Sequence, residues 1–311
     1  MQARGRGDRR APVRVVEALF VTSPEALVGD LLPWGREYLM VLPDRFRVEW
    51  EINPYMRLVD QPDPVRAAAQ WEQLRAALVR AGARVQVMAG DPELPDMVYA
   101  MNLGLAGRHL DAPSRRMVLS QMRYDVRRRE QDRYRSHAAV DPTAPCPSCL
   151  PNPAALFEAG DAFWFADRLL VGYGKRTDAL GVESLRAIVD APVVGYEIVH
   201  PSMYHMDLAF CPVTTGSALV CTEAYTPADA ERLLEVIPDP IPISVDEALG
   251  FAANQVVVAD TVLGPPLPDR LVGELTDRGL RVVSVDVSEF HKGGGSVRCL
   301  TNPLDLPVPL R

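Results

Sequence analysis

The chain has 311 residues, 48% of them hydrophobic, and 33 Lys and Arg against 41 Asp and Glu give a formal charge of −8. That is enough apolar material for one compact domain over residues 15–311, while the acidic balance argues against nucleic acid as a partner and tilts the surface field towards a small cation. No apolar run reaches the roughly 18 residues that cross a bilayer, and an odd set of five cysteines fits free thiols in a reducing compartment.

Residues 1–14 carry Arg4, Arg6, Arg9, Arg10 and Arg14 among small and polar residues, and read as a flexible basic arm. Glu17 interrupts the apolar run a secretory leader would need, so a cytoplasmic protein without membrane attachment is expected. Strand-like runs follow at 13–21, 38–42, 84–88, 97–101 and 117–120, with a helix over 64–81 where apolar residues recur at three and four. Residues 123–153 pass into charged and then Pro-rich text and read as a long surface loop or flap. Beyond it, strands are expected at 162–172, 193–199, 208–213, 218–222, 255–259 and 281–287, with helices over 179–189, 228–236 and 269–277. Leu74, Leu78, Gly82 and Val85 are spaced as are Leu271, Leu275, Gly279 and Val282. The echo fits either a repeated helix-to-strand unit or the likeness that any two such junctions share.

Several residues could carry chemistry. Cys299 follows three glycines in HKGGGSVRC, where backbone can approach a ligand, and a neighbouring cation such as Arg298 would favour its thiolate. A lone cysteine is otherwise a small buried hydrophobe. His205, in YHMDLAF with Asp207 two positions on, is a candidate proton shuttle, with His200 its rival. The motifs LPDMVYAMN and FEAGDAFWF set Asp96, Asn102, Glu158 and Asp161 beside apolar strands. A carboxylate buried there needs a partner, either a guanidinium ligand or an arginine of the chain itself. Cys146 and Cys149 have the spacing of half a zinc site, but no second pair accompanies them, so they read as structural or incidental and no metal is expected there.

Taken in order, PDMVYAMN, FEAGD, GYGKRTD, YHMDLAFCPV and SEFHKGGGSVRCLT resemble the guanidine-modifying enzymes, the pentein superfamily, over about two thirds of the chain. The resemblance implies an α/β fold, a five-bladed pseudo-symmetric propeller around a polar cleft. It also implies roles: Cys299 as nucleophile, His205 as general acid and base, and Glu158 and Asp96 gripping the guanidinium. Arg127 and Arg176 match positions that hold a substrate carboxylate in the dimethylarginine-hydrolysing branch. The implied substrate is a small cationic guanidino compound, the implied chemistry requires no metal or organic cofactor, and a homo-oligomer is compatible with it.

The branches divide on detail. Met101 and Asn102 stand where dimethylarginine hydrolases usually have two acids, and Asn102 with GYGKRTD is similar to the arginine dihydrolases. The single Ala159 between Glu158 and Gly160 points back to the dimethylarginine branch. An amidinotransferase using the same residues is the enzymatic alternative. A non-catalytic propeller-type binding protein is the alternative of another class, which the joint presence of Cys299, His205, Glu158 and Asp96 disfavours.

Overall fold

The computed structural model describes residues 29–111 and 114–311; the expected arm and the strand at 13–21 lie outside them. The described residues form five small sheets, and four are written along the chain in one way. Two antiparallel strands are followed by a helix and a returning strand that runs parallel to the second, the crossover that parallel pairing requires. Gly104–His109 and Arg115–Leu119 lead through Glu130–Val140 to Cys146–Ser148. Ala162–Phe165 and Arg168–Tyr173 lead through Ala179–Ile188 to Val193–Glu197. Phe210–Pro212 and Ser217–Val220 lead through Pro227–Leu234 to Asp239–Pro242. Val256–Val258 and Thr261–Gly264 lead through Asp269–Asp277 to Arg281–Ser284.

The fifth unit is split across the chain. Glu37–Val41, Pro64–Arg80 and Arg84–Met88 supply its later strands and helix, and its antiparallel first strand is Asn302–Pro303, near the other end of the sequence. The echo noted above falls on equivalent junctions: Gly82 (φ 102°) and Gly279 (φ 72°) end their helices in the left-handed region before the parallel strand.

Local chemistry accounts for the helices. Pro64–Arg80 starts at Asp63, whose side chain accepts from the Val65 and Arg66 N–H groups, and buries Ala67, Trp71, Leu74 and Leu78 on one face. Asp178 and Thr226 cap Ala179–Ile188 and Pro227–Leu234 in the same manner.

Elsewhere the fold departs from expectation. The run at 97–101 is not a strand but two 3-10 turns, Pro95–Val98 and Ala100–Leu103. The Asn302 side-chain amide donates to the Ala100 and Gly104 carbonyls, meeting backbone needs that a ladder would otherwise satisfy. The run at 162–172 is a hairpin turning at Ala166 and Asp167, both at positive φ (49° and 54°), a turn that alanine does not advertise. Asp239–Pro242 was hidden by its prolines, which its edge place in the sheet tolerates. Residues 123–153 are not a flap: they hold the helices Asp125–Arg128 and Glu130–Val140 and the strand Cys146–Ser148. Cys299 sits on a turn, with Leu300 N–H donating to Ser296 O at 3.1 Å.

Candidate active site

The topology gives the polar residues a common address. Asn102 lies just before the first strand of its unit, as do Glu158, the His205 and Asp207 pair, Asn254, and Cys299 in theirs. Six of the eight expected site residues line one cavity: Asp96, Asn102, Arg127, Arg176, His205 and Cys299. Ile52, Asn53, Tyr99, Tyr204, Gly293 and Gly295 complete its wall. Glu158 and Asp161 are buried beside it rather than on its surface.

Cys299 is 4% exposed. Its sulfur lies 3.4 Å from Asp207 Oδ2 and 3.2 Å from Asn254 Nδ2. Burial first, and the Asp207 charge second, push the thiol well above its ordinary range, so the free site holds a protonated sulfur at neutral pH. Arg298 does not bond to the sulfur: it donates to Ala162 O at 2.9 Å and lies 3.8 Å over the Phe163 ring.

Two buried acids each keep an oxygen without a protein partner, Oδ1 of Asp96 and Oδ1 of Asp207. Burial raises both above the usual carboxylate range, Arg127 and Trp50 opposing it at Asp96, and His205 and Arg298 opposing it at Asp207. The Trp50 indole N–H donates to the other Asp96 oxygen at 2.6 Å. Unsatisfied buried carboxylate oxygens suit a planar cation rich in N–H donors.

His205 Nε2 is 2.9 Å from Glu158 Oε2. Arg176 Nη1 donates to the same oxygen at 3.0 Å, and Arg123 N–H donates to Glu158 Oε1 at 3.0 Å. Burial alone would raise Glu158, but Arg176 and His205 hold it far below the usual carboxylate range. An ionised Glu158 can only accept, so His205 Nε2 carries a proton and Nδ1, buried and without a partner, is left for proton transfer. Gly160 is required behind this ring: a Cβ there would come within 2.9 Å of His205 Nδ1 and 3.1 Å of Asn102 Oδ1. Asn102 Oδ1 accepts the Gly160 N–H at 2.9 Å, so its amide N–H₂ is the group it can present to the cavity.

The arginines are already engaged. Arg127 forks onto Glu130 at 2.7 and 2.8 Å and also donates to Asp96 O. Arg176 is stacked between Tyr124 and Tyr204, at 4.7 and 4.9 Å to their ring centres, and donates to Ile52 O. Asp161 accepts N–H groups from Met206 (2.9 Å) and Thr177 (3.3 Å), with burial pushing it up to about 6. It anchors the turn that carries His205 and Asp207. The glycines before Cys299 are needed because the Tyr99 ring packs directly on Gly293 and Gly295, leaving no space for a Cβ.

Sequence reasoning passed over Asn254, Trp50 and Glu130, and noticed Asp207 only as a neighbour of His205. Position was the available signal: Asn254 stands two residues before Val256 as Asn102 does before Gly104.

A family described as N,N dimethylarginine dimethylhydrolase, eukaryotic, matches residues 43–306. The chain belongs to that family. It is therefore an enzyme of hydrolase type, and the resemblance to guanidine-modifying enzymes is borne out. The chain is 32% identical to the N(G),N(G)-dimethylarginine dimethylaminohydrolase of Mycobacterium tuberculosis, over 86% of each protein. It is 29% identical to the bifunctional arginine dihydrolase/ornithine cyclodeaminase ArgZ of Synechocystis, over 87% of this chain but 38% of that protein. The N-terminal domain of ArgZ, solved with product bound and described as an arginine dihydrolase, superposes with a TM-score of 0.80 at 27% identity, covering 90% of this chain and 99% of the domain. The same domain has been solved as a cysteine-to-serine variant bound to substrate and as an asparagine-to-serine variant covalently attached to a reaction intermediate. Among the described residues no helix is long and apolar enough to cross a membrane.

Proposed function

We propose that this family member hydrolyses the guanidinium C–N bonds of arginine through a covalent adduct on Cys299, and releases ornithine. The five repeated units are read as the blades of an α/β propeller, with the residues entering each first strand gathered at its axis. The observation that carries the chemistry is the convergence on one cavity of a buried thiol, the Asp96 carboxylate with its free oxygen and a carboxylate-held imidazole, with Asp207 against the sulfur.

A guanidinium lying between Asp96 and Asp207 satisfies their free oxygens, and its charge lowers the cost of the Cys299 thiolate that burial opposes. His205 takes the thiol proton, the sulfur attacks the central carbon, and ammonia leaves on that same proton. Water, deprotonated by His205, then attacks the thiouronium, with Glu158 keeping the ring in place throughout. Arg127 and Arg176 are assigned to the substrate's carboxylate. Because each already faces an acid of the protein, they offer N–H donors more than net charge.

The dihydrolase outcome is favoured by Asn102. It turns an amide N–H₂ where an acid would hold the guanidinium by charge, so a neutral ureido intermediate can stay, be attacked again by Cys299 with loss of its second ammonia, and be hydrolysed by a second water to a carbamate that breaks down to ornithine and carbon dioxide. A second reading, in which a methylated arginine gives citrulline and a methylamine, draws on the family match over 43–306. Incubation with arginine, dimethylarginine, and arginine plus glycine separates the readings. Ornithine from arginine alone is expected. Citrulline and dimethylamine would move the protein to the second reading, and ornithine only in the presence of glycine would make it an amidinotransferase.

A further inference from the structure

Asn254 makes more contacts with the nucleophile than any residue assigned above, and nothing in the proposed chemistry uses it. Its side chain is fully buried. Nδ2 lies 3.2 Å from Cys299 Sγ and 3.1 Å from Asp207 O, while Oδ1 accepts the Cys299 N–H at 3.2 Å. The partners fix the orientation of the amide, since a carbonyl demands the N–H₂ and a backbone N–H demands the oxygen.

The segment that delivers Asn254 is built at a cost. Phe251 has φ 67°, a conformation bulky residues rarely adopt, and Asn254 N–H donates back to Phe251 O at 2.9 Å. The strained ring is pinned between Tyr55 and His291, at 4.8 and 4.4 Å between ring centres. Asn254 also occupies, in its unit, the address that Asn102, Glu158, His205 and Cys299 occupy in the others.

We propose that Asn254 is a further catalytic residue, whose amide N–H₂ donates to the developing Cys299 thiolate while its carbonyl fixes the backbone of the same residue. The proposal rests on Cys299 being the nucleophile. The titratable groups facing the sulfur are Asp207 at its contact distance, Arg298, Tyr55, Tyr99 and Tyr204 around it, and His205 on the cavity wall. Of these, Asp207 opposes the thiolate and Arg298 favours it. Asn254 is a neutral donor in direct contact with the sulfur, so its contribution persists across the pH range in which the others titrate.

The test uses two variants of the full chain. Asn254→Asp is isosteric and keeps an acceptor for the Cys299 N–H, but it replaces the donor with an anion; Asn254→Ala removes both contacts. Alkylation of Cys299 by iodoacetamide is followed from pH 6 to 10 by peptide mass spectrometry, with the exposed Cys146 and Cys149 as internal controls, alongside kcat and KM for arginine. Asn254→Ala is expected to lower alkylation at pH 7.5 and kcat by roughly tenfold or more, the worth of one hydrogen bond to a charged group. KM should change little, and because below its midpoint the alkylation rate falls tenfold for each unit by which the thiol is raised, the whole rising limb from pH 6 to 10 should drop by about tenfold in Asn254→Ala and further in Asn254→Asp. Rising limbs equal to wild type in both variants, or Asn254→Asp milder than Asn254→Ala, would reduce Asn254 to a structural residue and overturn the proposal. Should wild-type Cys299 resist 2-chloroacetamidine while turnover persists, the nucleophile itself is misassigned and both readings fall.

Discussion

Asn102 and Gly160 meet through one hydrogen bond, and that contact turns a carboxamide into a donor facing the cavity. Replacing it with an acid restores a charge for the guanidinium and nothing for a neutral ureido group. On the proposed dihydrolase reading, Asn102→Asp is therefore expected to release citrulline in place of ornithine, as read by amino-acid analysis after exhaustive reaction; continued ornithine release would remove the basis for Asn102 as the product-determining residue. The acids show how fine the residue scale is. Asp161 and Asp207 both lie within a few residues of a motif, yet Asp161 is spent on the Met206 and Thr177 amides while Asp207 reaches the sulfur. Residue type was legible in the sequence. Which way each acid points was not, because a 3-10 turn of three residues sends neighbouring side chains in different directions.

At the scale of elements, the strand-entering stretch with Glu158 is locked to the loop with Arg176 by a buried ion pair at 3.0 Å. Removing one partner of such a pair leaves an uncompensated buried charge, costing about 3–5 kcal/mol. Glu158→Gln should lose stability of that order at pH 7 in urea unfolding. The folded-state acid is depressed, so its stabilisation is complete above the unfolded value of about 4.3 and fades as the pH falls below it. The gap between variant and wild type should accordingly shrink on going from pH 7 to pH 3; a constant gap would mean that packing, not charge, is lost. A second element closes the site. The cavity holds about 20 Å³, room for one or two waters at roughly 10–15 Å³ each, so a molecule of arginine's size would fit only with part of its wall moved. The segment with Trp50, Ile52 and Asn53 reaches Asp96, Arg176 and Gly293 through hydrogen bonds. Arginine binding to a Cys299→Ser variant should change Trp fluorescence, and Trp50→Phe should abolish the change. A signal that survives the substitution would assign the opening to another wall.

At the scale of the whole molecule, apolar burial among the described residues gathers in separate clusters, and the largest joins strands of several sheets. Leu170, fully buried in the middle of its sheet and outside the cavity wall, tests the separation of core from site. Leu170→Ala is expected to cost about 2–5 kcal/mol in unfolding free energy while leaving KM for arginine near its wild-type value; a large rise in KM would mean that the sheet and the site are not mechanically independent. The sequence by itself determined the helices expected at 64–81, 179–189 and 269–277, each within a residue of its observed end, since three-four apolar spacing is local, and it determined which residue types were available for chemistry. It misjudged 97–101, 162–172 and 123–153, where apolar or charged text carries no record of whether neighbours will supply a ladder, a turn or a helix-packing face. Only the tertiary structure decided that Asn254 joins Cys299 and that Glu158 stands behind His205. Those residues come from different units, and their meeting depends on five strand entrances converging and on Asn302–Pro303 completing the sheet of Glu37–Val41, a long-range pairing that no local pattern encodes.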